Sequence, residues 1–418
     1  MAPIAAPLVT TTLVTAHLIG LDGADSGPSL ITIGPSGDIE SIRPHDPAAP
    51  DGAPALTAIP LLADAHSHLG ISDGVVDDPR FHTLDHVDAQ LQHLAACGIG
   101  HIHSLGTDQR WLQERLQRRL AAREPGEKAY GYSAGIGFGA VNGWPPDLTY
   151  PETRFRPLSP ALARKQVVDL AKLGCKTLKI WVDDFGGKVP KVPLDVMHAI
   201  VDEARRCGIV TFAHVHFHED AEALVGMGIG VLAHSVRDRL MSSELIAGMA
   251  ERDVALVPTL SREEGEVAFS LARNPYMDNA FFLASEAALV GRLRGKKFSE
   301  DPEKPAKRLS IALENLARVH AAGVAVGMGT DSGFKMKLQG FAQHRELQLM
   351  EQAGMSPAAC LRSALGVNQR LFASGMTAIA VGQPASFFIV EGNPLDDIRA
   401  METIREVWVG GKRVNGSI

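Results

Sequence analysis

The chain has 418 residues, 45% of them hydrophobic and 21% charged, which suits one large buried core with a smaller satellite domain and excludes a chain disordered throughout. Its 41 Lys and Arg against 48 Asp and Glu give a net charge of -7 with no long single-sign block, so no basic stripe of the kind nucleic acids require is present. Cys97, Cys175, Cys207 and Cys360 are too far apart for a zinc ribbon or a redox pair, and they read as reduced, buried small residues. No apolar run reaches the roughly 20 residues of a membrane-spanning helix. The first 21 residues lack the basic start of a signal peptide, so the expected location is the cytoplasm.

In chain order, residues 8–60 read as short β segments, including 30–33 and 39–42 around a turn at Gly34, Pro35, Ser36 and Gly37. From residue 61 to 366, short apolar runs alternate with amphipathic helical stretches. The expected strands are 61–66, 99–104, 129–137, 177–182, 209–214, 230–234, 254–259 and 324–330. Helical patterns such as 193–207 and 305–322 lie between them, and Gly98, Gly174, Gly208 and Gly323 stand where helices end. Eight βα repeats point to a closed (β/α)8 TIM barrel, an α/β fold. Between the seventh and eighth strands, residues 261–303 exceed an ordinary crossover and form a candidate lid. The tail returns to β segments at 385–390, 406–409 and 412–414. The expected organisation is therefore a barrel over 61–367 beside a small composite β-sandwich domain formed by 1–60 and 368–418, with two unrelated β extensions as the alternative.

In such a barrel, reactive groups come from the C-terminal ends of several strands. The first expected strand leads into Asp64-Ala65-His66-Ser67-His68, the fourth carries Lys179, the fifth and sixth end at His214 and His234, and the eighth leads to Asp331. His66 and His68, two apart on extended backbone, face one side and make a suitable pair of metal ligands, although an isolated H-x-H is weak evidence. His214 and His234 each close an apolar run, and two histidines on consecutive strand ends are harder to read as structural. Lys179 alternates with Thr177 and Trp181 against Leu178 and Ile180, and a bare ammonium inside a barrel is costly unless paired or neutralised. A lysine reaching to the rim is the structural alternative. Asp331 can orient and deprotonate water, or cap a following helix. Four histidines, one lysine and one aspartate on five strand ends form a constellation that no single member would establish.

This ordered set, H-x-H, Lys, His, His and Asp, resembles the amidohydrolase superfamily, specifically its prolidase-like binuclear branch with a carboxylated lysine. The segments "LQLMEQAGMSP" from Leu347, "VGQPASFFIVEGNP" from Val381 and "VWVGGKRV" from Val407 add to the resemblance. It implies two divalent metal ions, zinc first among them. His66, His68 and Asp331 would hold the more buried ion, and His214 and His234 the more exposed one. Lys179, carboxylated by CO2, would bridge them, with a bridging hydroxide as nucleophile and Asp331 as its base. It further implies a hydrolase that cleaves an amide or peptide-like C–N bond of a small acyl or aminoacyl substrate, and a homo-oligomer. Two departures mark a divergent member: Ile59-Pro60-Leu61-Leu62-Ala63-Asp64 precedes the H-x-H, and Val367-Asn368-Gln369 stands where Asn-Pro is common.

Two other functions remain open on the sequence. A mononuclear deaminase or cyclic-amide hydrolase would share the fold, but Phe217 occupies the position where deaminases commonly carry glutamate, and Lys179 would have no role. A non-catalytic binding barrel would leave the filled ligand positions without purpose. His216, two beyond His214, is a candidate catalytic and substrate-contacting residue, with the start of the next loop as the alternative. Tyr132, and from the insertion Tyr276, Phe281 and Phe282, are candidates to line an apolar substrate pocket, with helix packing as the alternative for the two phenylalanines.

Overall fold

The alternating segments fold as parallel strands in a computed structural model that describes residues 10–45, 54–122, 126–145 and 154–414. Leu62–Ser67, Ile99–Ser104 and Tyr130–Ser133 form one parallel sheet. A second parallel sheet runs Arg154–Phe155, Gly137–Phe138, Thr177–Val182, Val210–Val215, Val231–Ala233 and Ala255–Val257. The third expected strand is thus divided at Ala134 and Gly135, and its two halves belong to different sheets. Near-continuous burial along Thr177–Val182 and Leu62–Ser67 is what strands covered on both faces require.

The expected strand at 324–330 does not form as regular strand. That stretch makes isolated parallel bridges instead, Leu256 to Val326 on one side and Ser67 to Ser332 on the other. Ala65 N–H donates to Met328 O at 2.9 Å and Thr330 N–H to His66 O at 3.0 Å, so the segment lies between the ends of the two sheets. Gly329 explains the irregular path. A Cβ there would lie 2.4 Å from Val257 Cγ1 and 2.9 Å from His66 N, so only glycine lets the three backbones come this close.

Helices form where the apolar period predicts, among them Leu194–Arg206 and Glu303–Ala321, and Gly98, Gly174, Gly208 and Gly323 all take positive φ at the helix ends. The insertion is a packed unit built on Leu260–Ala268, Ala280–Ser285 and Ala287–Leu293, with Phe269, Phe282 and Leu293 buried. It is fastened by Arg292 to Asp73 at 2.6 Å and by His93 to Glu286 at 3.3 Å.

The terminal segments meet in one place. Thr11–Thr15, Ser29–Ile33 and Ile39–Pro44 form an antiparallel sheet; His17–Leu18 and Leu56–Pro60 join Phe387–Glu391, Ile404–Val409 and Lys412–Arg413 in another. Ile31, Ile33 and Ile39 from the first share an apolar cluster with Leu18, Ala58, Phe387, Ile389 and Trp408 from the second. Among the described residues no helix is long and apolar enough to cross a membrane.

Candidate active site

The C-terminal ends of the parallel strands converge on a group of buried histidines. His66 and His68 leave Leu62–Ser67 in the period-2 relation that the sequence suggests, and their Nε2 atoms lie 3.3 and 3.0 Å from one Asp331 oxygen. These three side chains present ligand atoms within 4.8 Å of one another. Asp331 caps no helix. It takes φ 55°, which aspartate tolerates better than most residues, and its N–H folds back to His66 O at 2.6 Å. Lys179 Nζ lies 3.0 Å from His66 Nε2, while the rings of His234 and His66 are 4.7 Å apart and those of His214 and His234 4.5 Å. All six proposed ligands from the sequence therefore meet at one place.

Their electrostatics suit a divalent cation. Burial holds His66 and His234 well below the ordinary imidazole range and brings His214 down to about 3, so each is neutral and can donate a lone pair. Burial alone would raise the Asp331 carboxyl, but Lys337 and the hydrogen bonds from His66 and His68 outweigh it, and the group is ionised. Burial lowers Lys179 to about 7, so a large fraction of its amine is unprotonated near neutrality. Second partners orient the rings: Thr107 Oγ1 meets His68 Nδ1 at 2.8 Å, Thr259 Oγ1 meets His234 Nδ1 at 2.7 Å, and Asp183 Oδ2 meets His214 Nε2 at 3.2 Å. Nε2 of His68 and His234 and Nδ1 of His214 are then the nitrogens that would be offered to an ion.

Above the group opens a cavity of about 660 Å³ lined by His68, Lys179, His214, His234 and Asp331. His216 also lines it, half-buried just past the strand end, its ring 4.6 Å from that of Phe217. Burial, with Arg237 adding to it, lowers His216 to about 4. Tyr132 is elsewhere. Its hydroxyl meets His101 Nδ1 at 3.1 Å and accepts from Gly375 N–H at 2.7 Å, and its ring packs on Phe372. Tyr132 pairs with His103 one residue before the strand end, but its side chain turns back onto His101 and Phe372 and away from the mouth. Tyr276, Phe281 and Phe282 do not reach the cavity either. They pack against Phe341 and His344, because burying several rings together stabilises the insertion more than exposing them at a mouth would.

Several lining residues escape the sequence reading. Asp183 shares the parity of Lys179 and Trp181, a signal that was available. Arg262, whose Nε donates to Asp331 Oδ2 at 3.0 Å, carried none. It reaches the site because Thr259 adopts φ 53° and turns the chain sharply into Leu260–Ala268, whose first N–H groups are held by Glu346 at 2.9 and 2.6 Å.

A parallel α/β scaffold with histidines, a lysine and an aspartate gathered at its strand ends defines a hydrolase type of site with a candidate metal-binding group. The sequence pattern of the Amidohydrolase family matches residues 183–414, more than half the chain, and the protein belongs to that family, a hydrolase of C–N bonds. No curated protein matches it. Among solved structures, a Xaa-Pro dipeptidase with bound methionine in the active site is 19% identical, with a TM-score of 0.75 over 98% of this chain and 100% of that one. The A. niger ochratoxinase is 19% identical, with a TM-score of 0.70 over 97% and 96%. Molinate hydrolase is 17% identical, with a TM-score of 0.71 over 97% and 94%. At these identities the likeness concerns the fold.

Proposed function

We propose that this amidohydrolase is a binuclear metal-dependent enzyme that cleaves the amide or peptide-like C–N bond of a small acyl or aminoacyl compound. The observation that carries the reading is the convergence of His66, His68 and Asp331 donors within 4.8 Å, with Lys179 Nζ 3.0 Å from His66, at the floor of an open cavity. His66, His68 and Asp331 would hold one divalent ion, His214 and His234 the second, and Lys179, carboxylated on its unprotonated amine by CO2, both; zinc suits this N/O donor set. When bound, such ions lower the pKa of water and polarise a carbonyl oxygen. Asp331 accepts the proton of the attacking water and delivers it toward the leaving nitrogen, while Arg262 and Lys337 keep its carboxylate ionised and oriented. His216, at the cavity wall, is placed to hold or polarise the substrate carbonyl.

On this reading the two parallel sheets and the 324–330 segment make up one (β/α)8 barrel over 61–367, and the terminal sheets form a composite β-sandwich domain from 1–60 and 368–418; the isolated bridges at Val326 and Ser332 and the shared apolar cluster support it. We further infer a homo-oligomer without nucleic-acid or membrane partners, which light scattering would check. The names of the structural neighbours, a dipeptidase, an ochratoxinase and a molinate hydrolase, support C–N cleavage without selecting a substrate. The decisive experiment loads purified protein with Zn2+, counts metal per chain by emission spectrometry, and assays N-acyl amino acids, dipeptides, lactones and phosphotriesters in parallel. Near two ions per chain with amide turnover is expected. One ion, or turnover confined to lactones or phosphotriesters, would overturn the reading.

A further inference from the structure

The cavity over the proposed ligands has two unlike walls. One follows Gly137–Phe138 and Thr177–Val182 and carries Trp144 and Phe185, whose rings meet edge to face at 5.0 Å. They remain 39% and 42% exposed, a conspicuous amount of aromatic surface to leave in water at a cavity mouth. The pair is also anchored to the reacting end: Phe185 N–H donates to Asp183 Oδ1 at 2.7 Å, and Asp183 holds His214.

The other wall follows Val231–Ala233 and Ala255–Val257 and includes the helix Glu303–Ala321. Arg237, Arg262 and Arg308 surround Glu263, and Arg262 and Arg308 also hold Glu266. With Lys337, these four cations face four carboxylates, Glu263, Glu266, Asp183 and Asp331, so that committing Asp331 to metal would leave one positive charge in excess. Arg237 is 3% exposed; its Nη1 donates to the carbonyls of Val215 and Ser235, while its Nε, 3.0 Å from Glu263 Oε1, has no hydrogen bond among the described residues. A surplus of guanidinium in a partly dry cavity is an anion site, since planar donors pair with carboxylate oxygens better than water replaces them.

We infer that the substrate is an amide carrying a large planar aromatic group on one side of the scissile bond and a carboxylate on the other, with Trp144 and Phe185 gripping the ring and Arg237 and Arg308 the anion. This rests on the C–N hydrolase reading and adds the substrate class. The test compares kcat/KM of metal-loaded protein for N-naphthoylglycine, N-naphthoylglycinamide, N-acetylglycine and the reversed amide N-succinyl-naphthylamine. One of the two naphthyl acids should exceed the neutral amide by about 100-fold and the acetyl compound by at least about 10-fold. Trp144→Ala should lower kcat/KM for the preferred naphthyl acid about 10-fold more than for N-acetylglycine, so that the ring preference is lost; Arg308→Gln should bring the acid-to-amide ratio toward unity with circular dichroism unaltered. Calorimetry with the uncleavable N-naphthalenesulfonylglycine reads the same two walls without turnover. Equal rates for charged and neutral, large and small amides would overturn this inference while leaving C–N hydrolysis standing. No amide turnover together with absent sulfonamide binding would remove both.

Discussion

At the scale of single residues, Lys179 is the most exposed to test. Buried and 3.0 Å from His66 Nε2, a permanent ammonium would repel any cation held by the same histidine, whereas a carbamate would attract it. Lys179→Ala is expected to lose bound metal together with activity, read by emission spectrometry on the purified variant; retention of two ions and full turnover would contradict the assignment. Asp331→Asn should lower kcat by roughly 10²–10⁴-fold with little change in KM, because a proton acceptor acts on the transition state. A loss confined to KM would make Asp331 a binding residue. His66, His68, Lys179, His214, His234 and Asp331 were legible because strand alternation and strand ends constrain where a side chain points. Tyr132 was misplaced because alternation fixes the face a side chain takes but not which distant neighbours, here Phe372 and Gly375, it turns toward.

At the scale of elements, the stretch around Gly329 and the helix Leu260–Ala268 carry the site. Gly329→Ala should destabilise the protein by roughly 1–3 kcal/mol, since its methyl must displace Val257 or the His66 backbone, and it should weaken metal retention because His66 moves with its strand. Thermal unfolding with parallel metal analysis measures both. The helix supplies a pH dependence. Burial opposes ionisation of Glu263, but Arg262, Arg237 and Arg308 outweigh it and hold the carboxyl at about 2, below its ordinary 4.5. A depressed folded pKa means a contribution present above pH ~4.5 and lost as pH falls toward ~2. Glu263→Gln is therefore expected to destabilise by roughly 3–5 kcal/mol at neutral pH, leaving one buried and two half-buried guanidiniums short of a partner, and to flatten the acid limb of the Tm–pH curve. An unchanged acid limb would show that Glu263 is not the group titrating there.

At the scale of the whole molecule, metal binding and folding should be coupled, because the six proposed ligands come from strand ends spread between residues 66 and 331 and meet only in the folded chain. Removal of metal by a chelator should lower Tm and Zn2+ should restore it, with a gain of about 4 kcal/mol once free metal exceeds its dissociation constant a thousandfold. Calorimetric scans with and without chelator check this. A Tm indifferent to metal would separate the histidine cluster from any ion.

What the sequence determined by itself is the part governed by local period and chain order: parallel strands at residues 99–104 and 177–182 to the residue, helix ends at Gly98, Gly174, Gly208 and Gly323, and the ligand-type residues at strand ends. Each of these depends on backbone geometry within a few residues. The tertiary structure decided the rest. Residues 324–330 abandon regular pairing because Gly329 must pass between Val257 and His66, contacts from distant strands. Asn368, where the family's Asn-Pro is altered, proves to donate to Ala63 O and Met328 O, both at 2.7 Å, tying together strands that no local pattern relates. The aromatic residues of the insertion sank against Phe341 and His344 of a later helix, while Trp144, Phe185 and three arginines, silent in any periodic reading, came to line the cavity. Which side chain lines a pocket is settled by packing between loops far apart in the chain, where no spacing rule applies.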